Sequence, residues 1–102
     1  MNNRKKIIIM GRLGKNPSLL YTRKQEPVCY LSVAENIEGQ NLPHWHKVII
    51  WGKQAEHCNL YLKKGLPVFV RGYNQSREFT TKEGKNKKII ELKADFVGFT
   101  FS

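Results

Sequence analysis

The decapeptide HWHKVIIWGK at positions 44–53 gathers both tryptophans of this 102-residue chain, two of its three histidines and two lysines. An indole ring can stack on another flat ring, and a lysine ammonium group can neutralise an anion. Stacking of a nucleic-acid base on an aromatic side chain is worth about 1–3 kcal/mol per base and tolerates any base. The segment therefore carries the groups needed to hold a ligand made of flat rings and phosphates.

The spacing within this segment matters because the side chains of a β-strand alternate between its two faces. On a strand, one face would carry Trp45, Lys47, Ile49 and Trp51. The other, core-facing side would carry His46, Val48 and Ile50. Two aromatics on one strand face are also normal in a buried core. Lys47 argues against burial of that face, because an unpaired lysine is seldom fully buried.

The charge balance narrows the class of partner. Eighteen Lys and Arg against eight Asp and Glu give a net charge of +10 and a pI near 9.9. An excess of this size attracts polyanions and favours nucleic acid as the partner. A ribosome-associated protein or a membrane-surface protein can have the same composition and stays open as an alternative.

Hydropathy and cysteine content bear on the compartment. No apolar run approaches the roughly 20 residues of a membrane span, and the N-terminal apolar stretch is too short for a signal peptide. Cys29 and Cys58 are the two cysteines, and they form no CxxC motif. This pattern indicates no disulfide framework and favours a reducing, cytoplasmic location.

Local patterns in the first half of the chain predict three strands. The β-branched run at 7–10 predicts the first strand, and the alternation at 28–35 predicts the second. Between them, residues 11–21 (GRLGKNPSLLY) carry two glycines and an Asn-Pro pair, which predicts turns, with GRLG ending the first strand. A loop is expected at 36–44, before the third strand formed by the decapeptide.

The second half predicts a helix and two more strands. The segment KQAEHCNLYLKKG has helical spacing, with Lys63 and Lys64 expected at the C-terminal end and Gly65 at the C′ position. Residues 67–79 predict the fourth strand, and TTKEGKNKK predicts a polar, basic hairpin connection. The last strand is expected to place one set of side chains on a common face: Ile90, Leu92, Ala94 and Phe96.

This order of elements predicts a fold. Five strands with one short helix between the third and the fourth are the layout of the OB-fold, a five-stranded, partly open Greek-key barrel that binds oligonucleotides. We therefore expect an all-β protein in which residues 1–102 form a single OB-fold domain.

Four segments match the pattern of a known family, in order and at near-family spacing. IIIMGRLGKNPSLLY has the pattern G-x-L-G-x-x-P-x-x-x-Y, and HWHKVIIWGKQAE has a Trp-His pair followed by Gly-Lys and Ala-Glu. YLKKG followed by VFVRG is similar to the family's helix end and next strand, and SREFTTKEGK to its basic-aromatic hairpin. Through these segments the chain resembles the bacterial single-stranded DNA-binding proteins over about residues 4–96.

The resemblance implies roles for individual residues. It implies stacking of DNA bases on Trp45, Trp51 and Phe79. It implies phosphate contacts from basic side chains, and with other cations of the chain added we expect this set: Lys5, Arg12, Lys47, Lys53, Lys64, Arg77 and Lys87. The family is typically a homotetramer, and the expected subunit contacts are His46, Phe69, Arg71 and Tyr73.

The sequence departs from the family's pattern in two places. Residues 36–43 (NIEGQNLP) are a shorter connection than usual and lack the family's further stacking tryptophan, so we expect one stacking platform to be missing. Family members usually continue into a flexible linker and an acidic tip that recruits other proteins. This sequence ends at VGFTFS with no acid after Asp95. We therefore expect a short form, in which recruitment through an acidic tip is in doubt.

Catalytic and metal-binding patterns are not found in the sequence. The acidic residues are scattered, and there is no GxSxG motif or P-loop, so we expect no catalytic residues and no cofactor. His44 and His46 would point to one face of a strand, but zinc sites usually show tighter clusters such as CxxC or HxxxH. We therefore expect no bound metal.

These observations together predict a non-enzymatic protein that binds single-stranded DNA independently of base sequence. It would protect that DNA in replication, recombination or repair, in the cytoplasm at the nucleoid, as a homo-oligomer with four or two subunits. Two other functions stay open. A primosomal-type OB-fold would act mainly as an assembly module, and an RNA-binding OB module would prefer the ribose 2′-OH.

Overall fold

The computed structural model describes residues 5–99 and contains six β-strands and one α-helix. Their order is β1 (Ile7–Leu13), β2 (Ser18–Tyr21), β3 (Pro27–Glu35), β4 (His44–Trp51), α1 (Lys53–Tyr61), β5 (Pro67–Thr80) and β6 (Asn86–Phe99). The five strands and the helix expected from the sequence are all present. The short strand β2 is an addition. Residues 100–102, on which the expectation of a short form partly rests, lie outside the described residues.

Five of the strands form a closed ring. β1 pairs with β5, β5 with β6, and β4 with β3, all antiparallel, whereas β6 and β4 are parallel. The ring closes where β3 returns to β1 through the pairs Arg12–Ala34 and Leu13–Val33. The helix α1 lies between the third and the fourth strands of this ring, so the expected all-β OB-fold barrel is confirmed.

The core fills the inside of the ring because alternate residues of each strand point inward. Its largest fully buried side chains are Leu13, Cys29, Val33, Val48, Ile50, Val70 and Leu92. The helix adds Ala55 and Cys58, which are 0% and 2% exposed. Burial raises the pKa of Cys29 to about 11 and that of Cys58 to about 12, so both thiols stay protonated at neutral pH.

The expectation of turns over residues 11–21 is wrong at both ends of that segment. β1 continues through Gly11 to Leu13 instead of ending at GRLG. Gly11 allows this because a Cβ there would collide with the carbonyl of Ala34, whose carbon atom would be 2.9 Å away. Residues 18–21 then pair with β3 as β2. The pairings of β1 with β3 and β5 join segments that lie far apart in sequence, which local turn signals do not reveal, whereas β2 and β3 form a local hairpin across residues 22–26.

The helix ends earlier than expected. Its last residue is Tyr61, and Leu62 is already extended with φ −91° and ψ 151°, so Lys63 and Lys64 follow the helix instead of ending it. Gly65 is therefore not at the C′ position. It lies in a turn in which the N–H of Leu66 donates to the carbonyl of Lys63, and its φ of +92° favours glycine. Leu62 is 4% exposed, and its burial accompanies the early end of the helix.

The face expected for Phe96 is also wrong. Arg71 pairs with Phe96 while Gly72 pairs with Ala94, so Asp95 is an extra residue in β6 and forms a β-bulge. The bulge reverses the alternation beyond it. Phe96 is consequently 44% exposed, and Val97 takes the buried place in the core.

Candidate nucleic-acid interface

Strand β4 presents two tryptophans on the outside of the barrel. Trp45 is 54% exposed and Trp51 is 39% exposed, and Lys47 lies between them on the same face. Val48 and Ile50 point inward, each 1% exposed. The predicted alternation of this strand is therefore confirmed, although Ile49, which lies on the outer face, is only 6% exposed.

The outer face continues from β4 onto β6 and β5, because cross-strand partners point to the same side of a sheet. Ile49 pairs with Lys93, and Lys93 pairs with Tyr73. Counting in steps of two from these pairs places Arg77 and Phe79 of β5 on this face, together with Lys87 of β6. Phe79 is 39% exposed. The fold thus brings the three predicted stacking residues to one outer surface.

A buried acid holds one of the cations on this surface. The side chain of Glu91 is 7% exposed, and its Oε1 accepts a hydrogen bond from Nε of Arg77 at 3.4 Å. A buried carboxylate needs such a partner. The side chain of Arg77 is still 57% exposed, so the guanidinium group faces solvent while one of its edges is held.

Trp45 lies beside two small residues. Its cross-strand partner on β3 is Ala34, and its indole extends beyond β3 to Gly14. A Cβ added to Gly14 would lie 2.5 Å from Cη2 of the indole but 3.6 Å from Cε3, so the Cζ3–Cη2 edge of the six-membered ring abuts the glycine. The N–H of Gly14 donates to the carbonyl of Ser32 at 2.8 Å, which fixes the glycine beside β3.

Trp51, at the other end of β4, borders a cleft of about 720 Å³. Arg23, Lys24 and Lys93 line the same cleft. These cations were not among the predicted site residues. Arg23 and Lys24 adjoin β2, the strand that sequence analysis did not find, so their place beside Trp51 could not be inferred from local patterns. Lys53 follows Trp51 after one glycine and begins α1.

The other predicted phosphate-binding residues are more dispersed. Arg12 donates from Nη1 to the carbonyl of Gly65 at 2.9 Å. The backbone N–H of Lys64 donates to Oδ1 of Asn16, which places Lys64 beside the loop that contains Gly14. Lys5 is exposed and precedes β1. Within the described part of the chain, the side chains of Lys47, Lys53 and Lys87 have no hydrogen-bond or ion-pair partner, and all three residues are exposed.

Of the residues expected at subunit contacts, His46 lies apart from the others. It is on the inward side of β4, and its Nε2 is 2.9 Å from Oε1 of Glu35. The ring of His44 contacts it edge-on, with centroids 4.5 Å apart. Within residues 5–99, no group of three or more His, Cys, Asp or Glu side chains is arranged to hold a metal ion.

The other three expected contact residues surround the bulge. Asp95 accepts hydrogen bonds from Lys6 and from Nε of Arg71, the latter at 2.8 Å. The Lys6 ammonium group and then the Arg71 guanidinium group hold the pKa of Asp95 below its ordinary value of 3.8. Nζ of Lys6 is also 5.7 Å from the ring centroid of Tyr73. Phe69 contacts the exposed ring of Phe96 edge-on.

An apolar area covers the outside of β1, β5 and β6 next to this ion-pair network. Ile8 is 57% exposed and Met10 is 66% exposed, and they pair with Arg71 and Phe69 on β5. Met10, Phe69 and Phe96 border a cavity of about 730 Å³. We call Ile8, Met10, Phe69 and Phe96 the apolar face.

No helix within residues 5–99 is long and apolar enough to cross a membrane.

Comparison with known proteins gives consistent matches. Residues 4–100 match the model of the single-strand binding protein family. A single-stranded DNA-binding protein of Neisseria meningitidis serogroup B is 35% identical over 97 residues, which cover 88% of this chain and 56% of the relative. The single-stranded DNA-binding protein B of Bacillus subtilis is 34% identical over 98 residues, which cover 91% of this chain and 87% of the relative. The chain thus spans about half the length of the Neisseria protein.

Proposed function

The chain belongs to the single-strand binding protein family, and on that premise we propose that it binds single-stranded DNA largely without regard to base sequence. The observation that carries the proposal is the outer face of β4. Two exposed tryptophans lie there on either side of a lysine, on a barrel whose chain has a net charge of +10.

Base stacking is the first part of the proposed mechanism. The bases of a single strand are free to unstack and to lie on Trp45, Trp51 and Phe79. Every base has a flat π face, so this contact tolerates any sequence and contributes about 1–3 kcal/mol per base. The two tryptophans occupy opposite ends of β4, so a strand that stacks on both must run along β4 between them.

Phosphate neutralisation is the second part. Lys47 lies between the two tryptophans, and Arg77 and Lys87 flank Phe79. The cations beside Trp51, including Lys53 and Lys93, would receive phosphates at the other end of the path. Contacts of this kind release counterions from the strand and make the affinity depend on salt. The remaining proposed phosphate-binding residues are Lys5, Arg12 and Lys64.

Self-association is part of the proposal as well. Three neighbouring strands expose the apolar face, and monomeric proteins rarely expose large contiguous apolar areas. We propose that a second copy of the chain covers this face, in a dimer or a tetramer. Phe69 belongs to it, Arg71 and Tyr73 lie at its edge, and His46 would contact a copy elsewhere. One DNA strand could then contact several barrels.

The family consists of non-catalytic DNA-binding proteins, and we propose no enzymatic activity for this chain. Its proposed role is to protect single-stranded DNA in replication, recombination or repair, in the cytoplasm at the nucleoid.

Intrinsic fluorescence offers a direct test, because both tryptophans of the chain lie on the proposed DNA face. We expect oligo-dT to quench the emission strongly, quenching to weaken with added salt, and duplex DNA to have little effect. W45A and W51A combined should reduce the affinity for oligo-dT about 10-fold or more. Tyr61→Ala serves as a control, since this aromatic is 47% exposed on α1.

Two results would contradict the proposal. Unchanged affinity in the double tryptophan variant would remove stacking as the mechanism and would favour an assembly module. Tighter binding of oligo-rU than of oligo-dT would favour an RNA-binding module.

A further inference from the structure

We infer that Gly14 is a positioning residue for DNA binding, because its missing side chain fixes the indole of Trp45 in the orientation that receives a base. The inference rests on the proposed function and extends it to a residue that touches neither base nor phosphate.

The geometry around Gly14 leaves no room for a side chain. A Cβ there would lie 2.5 Å from Cη2 of Trp45, closer than real Cβ atoms approach any neighbour. The glycine cannot move away easily, because its N–H donates to the carbonyl of Ser32 at 2.8 Å. Any residue other than glycine would therefore displace the indole.

The backbone of Gly14 gives no other reason for a glycine. Its φ lies outside the left-handed region in which glycine is favoured, unlike Gly39, Gly52, Gly65 and Gly84. The obstacle to a Cβ is also unlike that at Gly11, where backbone atoms of Ala34 block it. At Gly14 the nearest atoms belong to a side chain that is 54% exposed and able to shift. The chain would fold with alanine at this position, but with Trp45 displaced.

A fixed indole improves stacking for an entropic reason. A free tryptophan side chain on a surface samples several rotamers and loses that freedom when a base stacks on it. With Ala34 as the cross-strand partner of Trp45 and the edge of its six-membered ring against Gly14, the indole is already held before DNA binds. Trp45 is 54% exposed, so its ring stays open to solvent, where a base can stack.

A double-mutant cycle tests the inference. The affinity for a fluorescently labelled oligo-dT is measured by anisotropy for the parent, G14A, W45A and G14A/W45A, with the melting temperature of each as a check on folding. We expect G14A to weaken binding about 3- to 10-fold while its melting temperature stays close to that of the parent. In the W45A background, G14A should cause no further loss.

A second readout separates positioning from a general loss of structure. In a W51F background all tryptophan emission comes from Trp45, and G14A should shift its emission maximum in the free protein. W45F carries a shorter side chain that does not extend over Gly14, so G14A should cost less affinity in W45F than in the parent.

The possible failures are distinguishable. If W45A weakens binding and G14A does not, or if G14A weakens it equally with and without Trp45, the inference is overturned and the proposed function stands. If W45A itself leaves the affinity unchanged, stacking at Trp45 is wrong and the inference is overturned with it.

Discussion

Phe79 and Lys87 are cross-strand partners near the end of the β5–β6 hairpin, so an aromatic ring proposed to stack and a cation point to the same side. The next residue, Lys88, pairs with Glu78 and points to the opposite side of the hairpin. These two adjacent lysines carry the same charge but lie on opposite faces of the hairpin. This difference allows the local contact with a phosphate to be separated from the effect of total charge.

The first prediction uses this pair. Lys87→Ala should reduce the steepness of the salt dependence of oligo-dT binding by about 0.7 in a plot of log K against log salt, because one phosphate contact is lost. Lys88→Ala removes the same charge from the other face and should change the slope much less. Equal slopes for the two variants would contradict the assignment of faces on this hairpin.

The second prediction concerns the apolar face. Met10→Glu places a charge at a side chain that is 66% exposed, and it should dissociate the proposed oligomer because an unpaired charge would be buried between subunits. Leu60→Glu is the matched control, since Leu60 is 69% exposed on α1. Sedimentation velocity measures the mass of both variants. If Met10→Glu sediments like the parent, the apolar face is not a subunit contact.

The third prediction concerns the pH dependence of stability. Bonds from Lys6 and Arg71 lower the pKa of Asp95 below 3.8, its ordinary value. A lowered pKa stabilises the folded state above the unfolded-state pKa, and this contribution is lost as the pH falls through the folded-state pKa. Asp95→Asn should therefore lower the urea midpoint at neutral pH, and the difference from the parent should shrink as the pH falls below 3.8 and disappear below the folded-state pKa. A difference that persists in acid would mean that another property of Asp95 stabilises the fold.

The fourth prediction concerns close backbone packing beside the bulge. A Cβ at Gly72 would lie 2.8 Å from Cα of Ala94 and 2.9 Å from the carbonyl carbon of Lys93, neither of which can rotate away. Gly72→Ala should therefore destabilise the protein by about 1–3 kcal/mol, the usual cost of overpacking. Thermal or urea unfolding measures this. Gly14→Ala, where the obstacle is a movable side chain, should unfold close to the parent.

The sequence was informative where structure follows from local alternation. The two faces of β4 could be derived from a run of eight residues, because the alternation of side chains along a strand with one buried side shows which residues face the core. The bulge at Asp95 could not be derived in this way. The sequence around it alternates without a break, and only the register with the partner strand β5 reveals the extra residue. Likewise, GRLG has the composition of a turn, and only the contacts with Ala34 and Trp45 show what its two glycines do. The candidate site follows the same division. The residues proposed to stack come from motifs, whereas the contact of Trp45 with Gly14 and the place of the cations beside Trp51 depend on contacts between segments distant in sequence.

The closure of the barrel has a consequence for its local motions. Two residue pairs, Arg12–Ala34 and Leu13–Val33, join β1 to β3, and Ala34 is also the cross-strand partner of Trp45. So short a seam opens by breaking few hydrogen bonds, and its amides should exchange with deuterium sooner than those of the long β5–β6 pairing. A nucleotide stacked on Trp45 would hold the indole in place beside Ala34 and Gly14, on the two sides of the seam. Bound DNA would then disfavour the separation of β1 from β3 and slow amide exchange in both strands.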